Sequence, residues 1–209
     1  TPNYGIRLDD HTAYTRQGLI FDQFYREAGV EVGFFADDWL YASASAGSNI
    51  TDVVSNYTKD PTYTARVEVT PRFGEVGLLF GGSYASAKLE NTQEALNTNM
   101  YGGFFGFGYV DFSLLAEYDI ANDLSSSDVK SNMLMVEAAY VILTGLEAIV
   151  RYDRIDYNAD VDADETSRFV FGFEFHPYSF IEVRPQYRLV MEDPSVDNDS
   201  FVLQLHFWY

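Results

Sequence analysis

The sequence predicts an all-β protein, an antiparallel up-and-down transmembrane β-barrel, and three observations favour this fold. Apolar and polar residues alternate with a period of two from residue 26 to the end of the 209-residue chain. Short and long connections between the apolar runs alternate as well. Aromatic residues make up 17% of the chain, with 16 Tyr and 17 Phe, although its composition is strongly acidic. A disordered acidic chain would be poor in aromatic residues, so we expect an ordered fold.

The alternation defines eleven strands after residue 25, each about ten residues long, which is the span of a tilted membrane strand. The register of one strand, at about 38–47, is ambiguous, because either Trp39 and Tyr41 or Leu40 and Ala42 could face outward. The outward rows of the other ten are, in chain order, Ala28, Val30, Val32 and Phe34; Tyr63, Ala65, Val67 and Val69; Val76, Leu78, Phe80 and Tyr84; Tyr101, Gly103, Phe105, Phe107 and Tyr109; Phe112, Leu114, Ala116 and Tyr118; Leu134, Val136, Ala138 and Tyr140; Leu146, Ala148, Val150 and Tyr152; Phe169, Phe171, Phe173 and Phe175; Ile181, Val183, Tyr187, Leu189 and Met191; Phe201, Leu203, Leu205, Phe207 and Tyr209.

The connections between these strands alternate strictly in length. The short ones are 36–38, 73–75, 110–111, 143–145 and 176–179, and the long ones are 48–62, 87–99, 121–132, 157–166 and 192–199. Membrane barrels have short periplasmic turns and long external loops, so we expect an outer-membrane location with the C-terminus in the periplasm. A soluble β-sandwich would bury the same apolar rows, but it is not expected to keep this alternation.

An odd number of strands leaves the wall incomplete. Bacterial barrels have an even number of strands, and an open edge in lipid would leave backbone groups unpaired. Residues 1–25 therefore add a twelfth strand, or sequence before Thr1 supplies further strands. No signal peptide follows Thr1, so either a signal has been removed or the chain is part of a longer polypeptide.

Composition excludes several functions. The formal charge of -19 argues against a nucleic-acid partner, because binding phosphates requires a basic face. The chain has no Cys, which excludes disulfides and thiolate metal sites. No apolar run approaches the roughly eighteen residues of a transmembrane helix.

The C-terminal segment FVLQLHFWY resembles the signal by which the barrel-assembly machinery recognises outer-membrane proteins. Its matching residues are Phe201, Leu203, Leu205, Phe207 and the terminal Tyr209. The last residue of most such proteins is Phe, so Tyr209 is a small departure. The resemblance implies a bacterial outer-membrane protein that interacts with this machinery, with the bilayer and with lipopolysaccharide.

The opening segment PNYGIRLDDHTAYTRQGLIF resembles the part of phosphate-selective-type porins in which a strand leads into an inward-folded constriction loop. The resemblance implies that Pro2, Tyr4 and Gly5 end a strand, that Arg16 belongs to the loop, and that residues 26–209 are barrel strands. It also implies a sixteen-stranded barrel of which this chain carries the last eleven strands. All three lysines, Lys59, Lys88 and Lys130, fall in or beside external loops, which departs from phosphate selectivity.

The inward rows carry charged residues, as expected of a wall around water. Acidic rings favour cations and rings of Arg or Lys favour anions, but cross-strand ion pairing that holds the wall is the interpretation we favour. If residues 1–25 fold inward, their charged residues set the narrowest section of the pore; an ordinary surface loop is the alternative. The candidate pore-lining residues are Arg7, Asp9, Asp10, His11, Arg16, Glu68, Arg72, Glu117, Glu147, Arg151, Arg168, Glu174, Glu182, Arg184 and Arg188.

No catalytic or metal site is predicted. The chain has three histidines but no Gly-x-Ser-x-Gly nucleophile elbow. We therefore expect no enzyme and no cofactor. Asp9, Asp10 and His11 offer too few ligands for a metal. The acidic loops at 160–165 and 192–199 could bind calcium or bridge lipopolysaccharide, but their spacing does not match a helix-loop-helix calcium site.

The main functional hypothesis is a porin for passive diffusion of small hydrophilic solutes or ions, with a preference for cations from its acidic excess. The alternative is a structural or scaffold barrel that holds a partner protein in its lumen or at its loops. Assembly as a homotrimer is a further open alternative.

Overall fold

The computed structural model describes residues 4–5, 13–17, 27–49, 60–90, 95–124, 126–162 and 164–208. A short helix, α1 (Tyr14–Gln17), precedes the strands. The strands are β1 (Glu27–Ala36), β2 (Leu40–Asn49), β3 (Pro61–Val69), β4 (Arg72–Phe73), β5 (Val76–Glu90), β6 (Ala95–Tyr109), β7 (Phe112–Asn122), β8 (Lys130–Leu143), β9 (Leu146–Asp156), β10 (Thr166–Tyr178), β11 (Ile181–Glu192) and β12 (Ser200–Phe207). Within the described part of the chain, no helix has the length and apolar character to cross a membrane.

The strands form one antiparallel sheet in which consecutive strands pair, except that β3 pairs with β5 across the two-residue β4. The predicted all-β, antiparallel, up-and-down architecture is therefore confirmed. The sheet has twelve strands, because the two-residue strand β4 pairs with β5 beside the main path. Between the described strands, no ladder joins β1 to β12.

The extra strand arises where Pro71 interrupts a single predicted strand. Proline has no N–H to donate to a ladder, so a strand cannot continue unchanged through it. The Pro71 carbonyl accepts a hydrogen bond from the Leu78 N–H at 3.0 Å, and the Thr70 N–H donates to the Trp39 carbonyl at 2.7 Å. The first bond holds β4 beside the start of β5, and the second ties the end of β3 to the turn before β2.

The ladders resolve the ambiguous register of β2. Ala42 lies opposite Val67 and Ala44 opposite Ala65, whereas Ser43 lies opposite the buried Arg66. Leu40 and Ala42 therefore share the apolar outward face. Tyr41 faces the opposite way, and its hydroxyl donates to Glu31 Oε1 at 3.2 Å.

All five predicted short connections are tight turns, at 37–39, 74–75, 110–111, 144–145 and 179–180. Gly145 has a φ of 83°, a conformation that glycine adopts without steric cost. A Cβ at this position would also lie 2.9 Å from the His176 carbonyl oxygen. The end of the sheet that carries these turns is called the turn end below, and the opposite end is called the loop end.

The long loop predicted at 87–99 is wrong. β5 and β6 are 15 residues long, and their ladder runs to the pair of Glu90 and Ala95. The strands continue because their inward row is still buried there, at Ala87, Leu96 and Thr98. The Asn and Thr residues near the start of β6 suggested a loop. In the strand, successive residues of this segment face opposite sides of the sheet, so polar residues are tolerated there.

The two faces of the sheet differ in chemistry. The exposed face is apolar and aromatic, and Tyr84 and Tyr101 pair across it with ring centroids 5.3 Å apart. Its strongly exposed members include Tyr63, Val67, Phe80, Tyr118, Val150, Phe169, Phe171, Phe173, Phe175, Phe201, Leu203, Leu205 and Phe207. The buried face carries Arg66, Glu117, Asp119, Arg151, Asp153, Arg168, Glu182, Arg184 and Gln186. Charged side chains lie on the buried face and large apolar side chains on the exposed face, the reverse of the usual burial preferences of these residue types.

The buried face also holds apolar clusters between its charges. Met100, Met133 and Ile155 pack with Tyr4 in one cluster near the loop end. Phe104 and Met135 form a second, against Leu79 and Leu115. The alternation in the sequence indicated the charged members of this face, but the centre of the face is partly apolar.

Candidate functional site

Residues 4–5 lie against the buried face. The Tyr4 hydroxyl donates to Asp119 Oδ1 at 3.0 Å, and the Gly5 N–H donates to Ser83 Oγ at 2.9 Å. The Gly5 carbonyl accepts from Arg66 Nε at 2.9 Å. These three bonds reach β7, β5 and β3, so the segment connects the paired strands β3 and β5 to β7, which lies beyond β6.

Helix α1 contacts the same face over β7, β8 and β9. The Arg168 guanidinium lies over the Tyr14 ring, 4.1 Å from its centroid, in a cation–π geometry. Burial raises the pKa of the Tyr14 phenol, although the Arg168 charge opposes this shift. Tyr14 is therefore neutral at neutral pH.

A central ion network spans β8, β9 and β10. Asp153 Oδ2 lies 3.0 Å from Arg151 Nε and 2.8 Å from Arg168 Nη2. Arg151 Nη1 also lies 3.4 Å from Glu137 Oε2. Asp153 and Arg151 are 0% and 1% exposed, so the network is shielded from solvent. Buried pairs of this kind require both partners, because removal of one leaves a buried charge.

A second charged site surrounds Arg66 on β3. Arg66 pairs with Glu68, and its guanidinium lies over the Phe104 ring at 4.9 Å. The Phe104 ring occupies space that Gly81 leaves, because a Cβ there would collide with it. The cation is therefore held between a carboxylate and an aromatic face.

A third group, the turn-end cluster, consists of Glu174, His176, Glu182, Arg184 and His206. Arg184 pairs with both carboxylates, and its Nη2 lies 2.8 Å from Glu182 Oε1. On the other side, His206 Nδ1 lies 2.6 Å from Glu182 Oε2. His176 Nε2 lies 4.0 Å from Glu182 Oε1. Glu182 is 2% exposed and is the centre of this cluster.

The structure brings six of the fifteen predicted pore-lining residues into these groups. Arg151 and Arg168 belong to the central network, Glu68 to the Arg66 site, and Glu174, Glu182 and Arg184 to the turn-end cluster. Glu117 is buried on the same face of the sheet, outside these three groups. Arg151–Glu137, Arg168–Asp153 and Arg184–Glu174 are cross-strand pairs of the predicted kind. The other pairs, Arg66–Glu68, Arg151–Asp153 and Arg184–Glu182, join residues two apart on one strand.

The remaining predicted residues fall outside the three groups. Arg72 and Glu147 line a cleft at the turn end. Arg188 Nη2 donates to Gln186 Oε1 at 3.0 Å. Arg16 lies in α1. The predicted Arg7, Asp9, Asp10, His11 and Tyr209 lie outside the described residues. The other assembly-signal residues, Phe201, Leu203, Leu205 and Phe207, form the exposed row of β12.

Sequence reasoning missed the contributions of Tyr4, Tyr14, Phe104 and the two turn-end histidines. His176 and His206 are 30 residues apart in the sequence, so no local pattern connects them. The register offered a usable signal, since His206 is paired directly with Glu182. Phe104 lies in the inward row, and the alternation of apolar and polar residues indicated no role for it at the site.

No protein-family model matches the chain, and no curated protein matches it either. The class that the fold defines is an all-β antiparallel sheet compatible with a β-barrel.

Proposed function

We propose that the protein is an outer-membrane porin, a water-filled channel for passive diffusion of small hydrophilic solutes or ions. The observation that carries this proposal is the exposed apolar face opposite a buried, charged face, sustained through neighbouring strands. Lipid accepts an apolar exterior, and a hydrated lumen accepts charges. Water would penalise the exposed row of Phe169, Phe171, Phe173 and Phe175.

The contacts of residues 4–5 and of α1 support a narrow passage. These segments lie on the charged face near the loop end, over Asp119 and Arg168. Side chains that occupy the lumen reduce its cross-section and bring solutes close to the wall. We therefore expect a small conductance and a selectivity set by the charges of the wall.

A preference for cations follows from the balance of charge. The chain has 32 acidic residues and 13 Lys and Arg. Arg151, Arg168 and Arg184 are engaged by carboxylates on the buried face, so they offer little attraction to anions. The negative electrostatic potential of acidic residues raises the local cation concentration in a narrow channel.

Planar-bilayer recording of the purified chain tests the proposal. Stable open steps support a porin, and a silent bilayer after verified insertion contradicts it. In a KCl gradient, the sign of the reversal potential should indicate cation preference. Anion preference would contradict the selectivity while leaving the channel intact.

A scaffold barrel is the second candidate, and the apolar cluster around Tyr4 favours it. Tyr4, Met100 and Met133 fill space on the buried face that a wide channel would leave to water. A barrel filled in this way would hold a partner protein and conduct no ions. The bilayer recording separates the two functions.

A further inference from the structure

The turn-end cluster places metal-ligating atoms together. Glu174, His176 and Glu182 each present one ligand atom, and these atoms all lie within 4.8 Å of one another. An imidazole nitrogen and two carboxylate oxygens are ligands that Zn²⁺ and other divalent first-row metals accept. Three protein ligands leave a further position for water.

The same place carries an excess of negative charge. Glu147 lies directly opposite Glu174 on the neighbouring strand, a like-charged cross-strand pair that is unfavourable without a cation. Arg184 is the one guanidinium that pairs with Glu174 and Glu182 among the described contacts. Three carboxylates around one Arg leave negative charge that a divalent cation would balance.

His206 supplies the support that a metal site requires. Its Nδ1 contacts Glu182 Oε2, and this bond fixes the carboxylate that would ligate the ion. The site is also accessible, since the side chains of His176 and His206 are 42% and 30% exposed. An ion can therefore enter from the turn end without rearrangement of the sheet.

We propose that Glu174, His176 and Glu182 bind a divalent transition-metal ion such as Zn²⁺ at the turn end of the sheet, with His206 as a positioning residue. The site would form whether or not the chain conducts ions, because its ligands lie together on the adjacent strands β10 and β11. The ion would share the carboxylates with Arg184 and would tie the ends of these strands together.

Trp208 provides a direct reporter of binding. Its ring centroid lies 6.1 Å from that of His176 and 6.3 Å from that of His206. Because Trp39 is the only other indole of the chain, a Trp39→Phe background isolates this signal. We would titrate the full 209-residue chain, without a histidine tag, in detergent with Ni²⁺, a paramagnetic quencher, and compete with Zn²⁺.

The expected result is saturable quenching that Zn²⁺ reverses. His176→Ala should raise the Ni²⁺ midpoint by at least about tenfold, and His206→Ala by about 10- to 100-fold, the effect of removing a partner of a ligand. His206→Gln should restore part of the affinity, because its amide can still donate to Glu182. The control His11→Ala should leave the midpoint unchanged.

Two results would overturn the proposal. One is the absence of saturable quenching at millimolar Ni²⁺, and the other is an equal midpoint in the parent and in His176→Ala. Far-UV circular dichroism of each variant establishes that the strands are intact. If His176→Ala fails to fold, Glu174→Gln takes its place, and zinc calorimetry of the parent gives the stoichiometry, for which one ion per chain is expected.

Discussion

Small residues on the buried face control which side chains fit beside the strands. Gly81 accommodates the Phe104 ring, and Gly102 accommodates the bond between Tyr4 and Asp119. A Cβ at Gly102 would lie 2.8 Å from the Tyr4 hydroxyl oxygen. These positions have a steric requirement that composition alone does not express.

Gly81→Ala tests this requirement. The added methyl group would collide with Phe104 and lie 2.6 Å from the Val67 carbonyl oxygen. Overpacking of this kind lowers the free energy of unfolding by about 1–3 kcal/mol. Urea unfolding in a bilayer measures this loss of unfolding free energy. The matched control is Gly103→Ala on the neighbouring strand, where no atom lies within 4 Å of a Cβ; equal losses in both variants would contradict the argument.

Tyr4→Phe tests the contact between residues 4–5 and the wall. It removes the donor to Asp119 Oδ1 at 3.0 Å, and Asp119 is 0% exposed. A hydrogen bond to a buried charged group contributes about 1.5–3 kcal/mol, so the free energy of unfolding should fall by that amount. Tyr101→Phe, at a half-exposed tyrosine of the outer face, is the control and should differ little from the parent.

Pairing of whole strands depends on information that a single strand does not contain. The pattern of β2 left two registers open, because its small Ala and Ser residues suit either face. Its ladder to β3 decides between them, since Ser43 must lie opposite Arg66. The turns, the apolar row and most strand positions, apart from β4 and the ends of β5 and β6, could therefore be predicted from alternation, whereas this register required the partner strand.

The charged groups show the same limit at the level of the site. Alternation correctly placed Arg151 and Arg168 on one face. It could not show that Asp153 lies between them, because that contact depends on the stagger of β9 and β10. The turn-end cluster joins β10, β11 and β12, and no short sequence window contains it.

The ion network across β8, β9 and β10 predicts a large effect of Asp153→Asn. The variant leaves the buried Arg151 and Arg168 without their shared carboxylate charge. Loss of one member of a buried pair costs about 3–5 kcal/mol, so the urea midpoint should fall markedly. Asp164→Asn, in the exposed connection before β10, should leave the midpoint unchanged. Similar midpoints for the two variants would show that the network adds no stability.

At the scale of the whole molecule, ion permeation through the proposed channel should depend more on the overall distribution of charge than on any one ion pair. The formal charge of -19 is combined with an exposed face made of apolar residues. Acidic residues therefore concentrate on the buried face and in the connections. Under the proposed channel function, both sets act on permeating ions, but the buried set lies closer to their path.

Glu147→Gln tests this difference. Glu147 lines the turn-end cleft and faces Glu174, so its neutralisation removes one charge from the wall. The ratio of cation to anion permeability should decrease, as read from the reversal potential in a KCl gradient. Asp164→Asn carries the same change of charge at an exposed loop position and should give a smaller shift. A larger shift for Asp164→Asn would assign the selectivity to the loops.

The succession of neighbouring ladders has a consequence for the folding rate. Each described ladder joins strands that are consecutive or, for β3 and β5, separated only by the two-residue β4, so each pairing closes a short loop. The entropy lost on closing a loop grows with its length, and local contacts speed folding. Hairpins can therefore be added one at a time, each using the edge that the previous hairpin presents. The described ladders can therefore form without a search for distant partner strands.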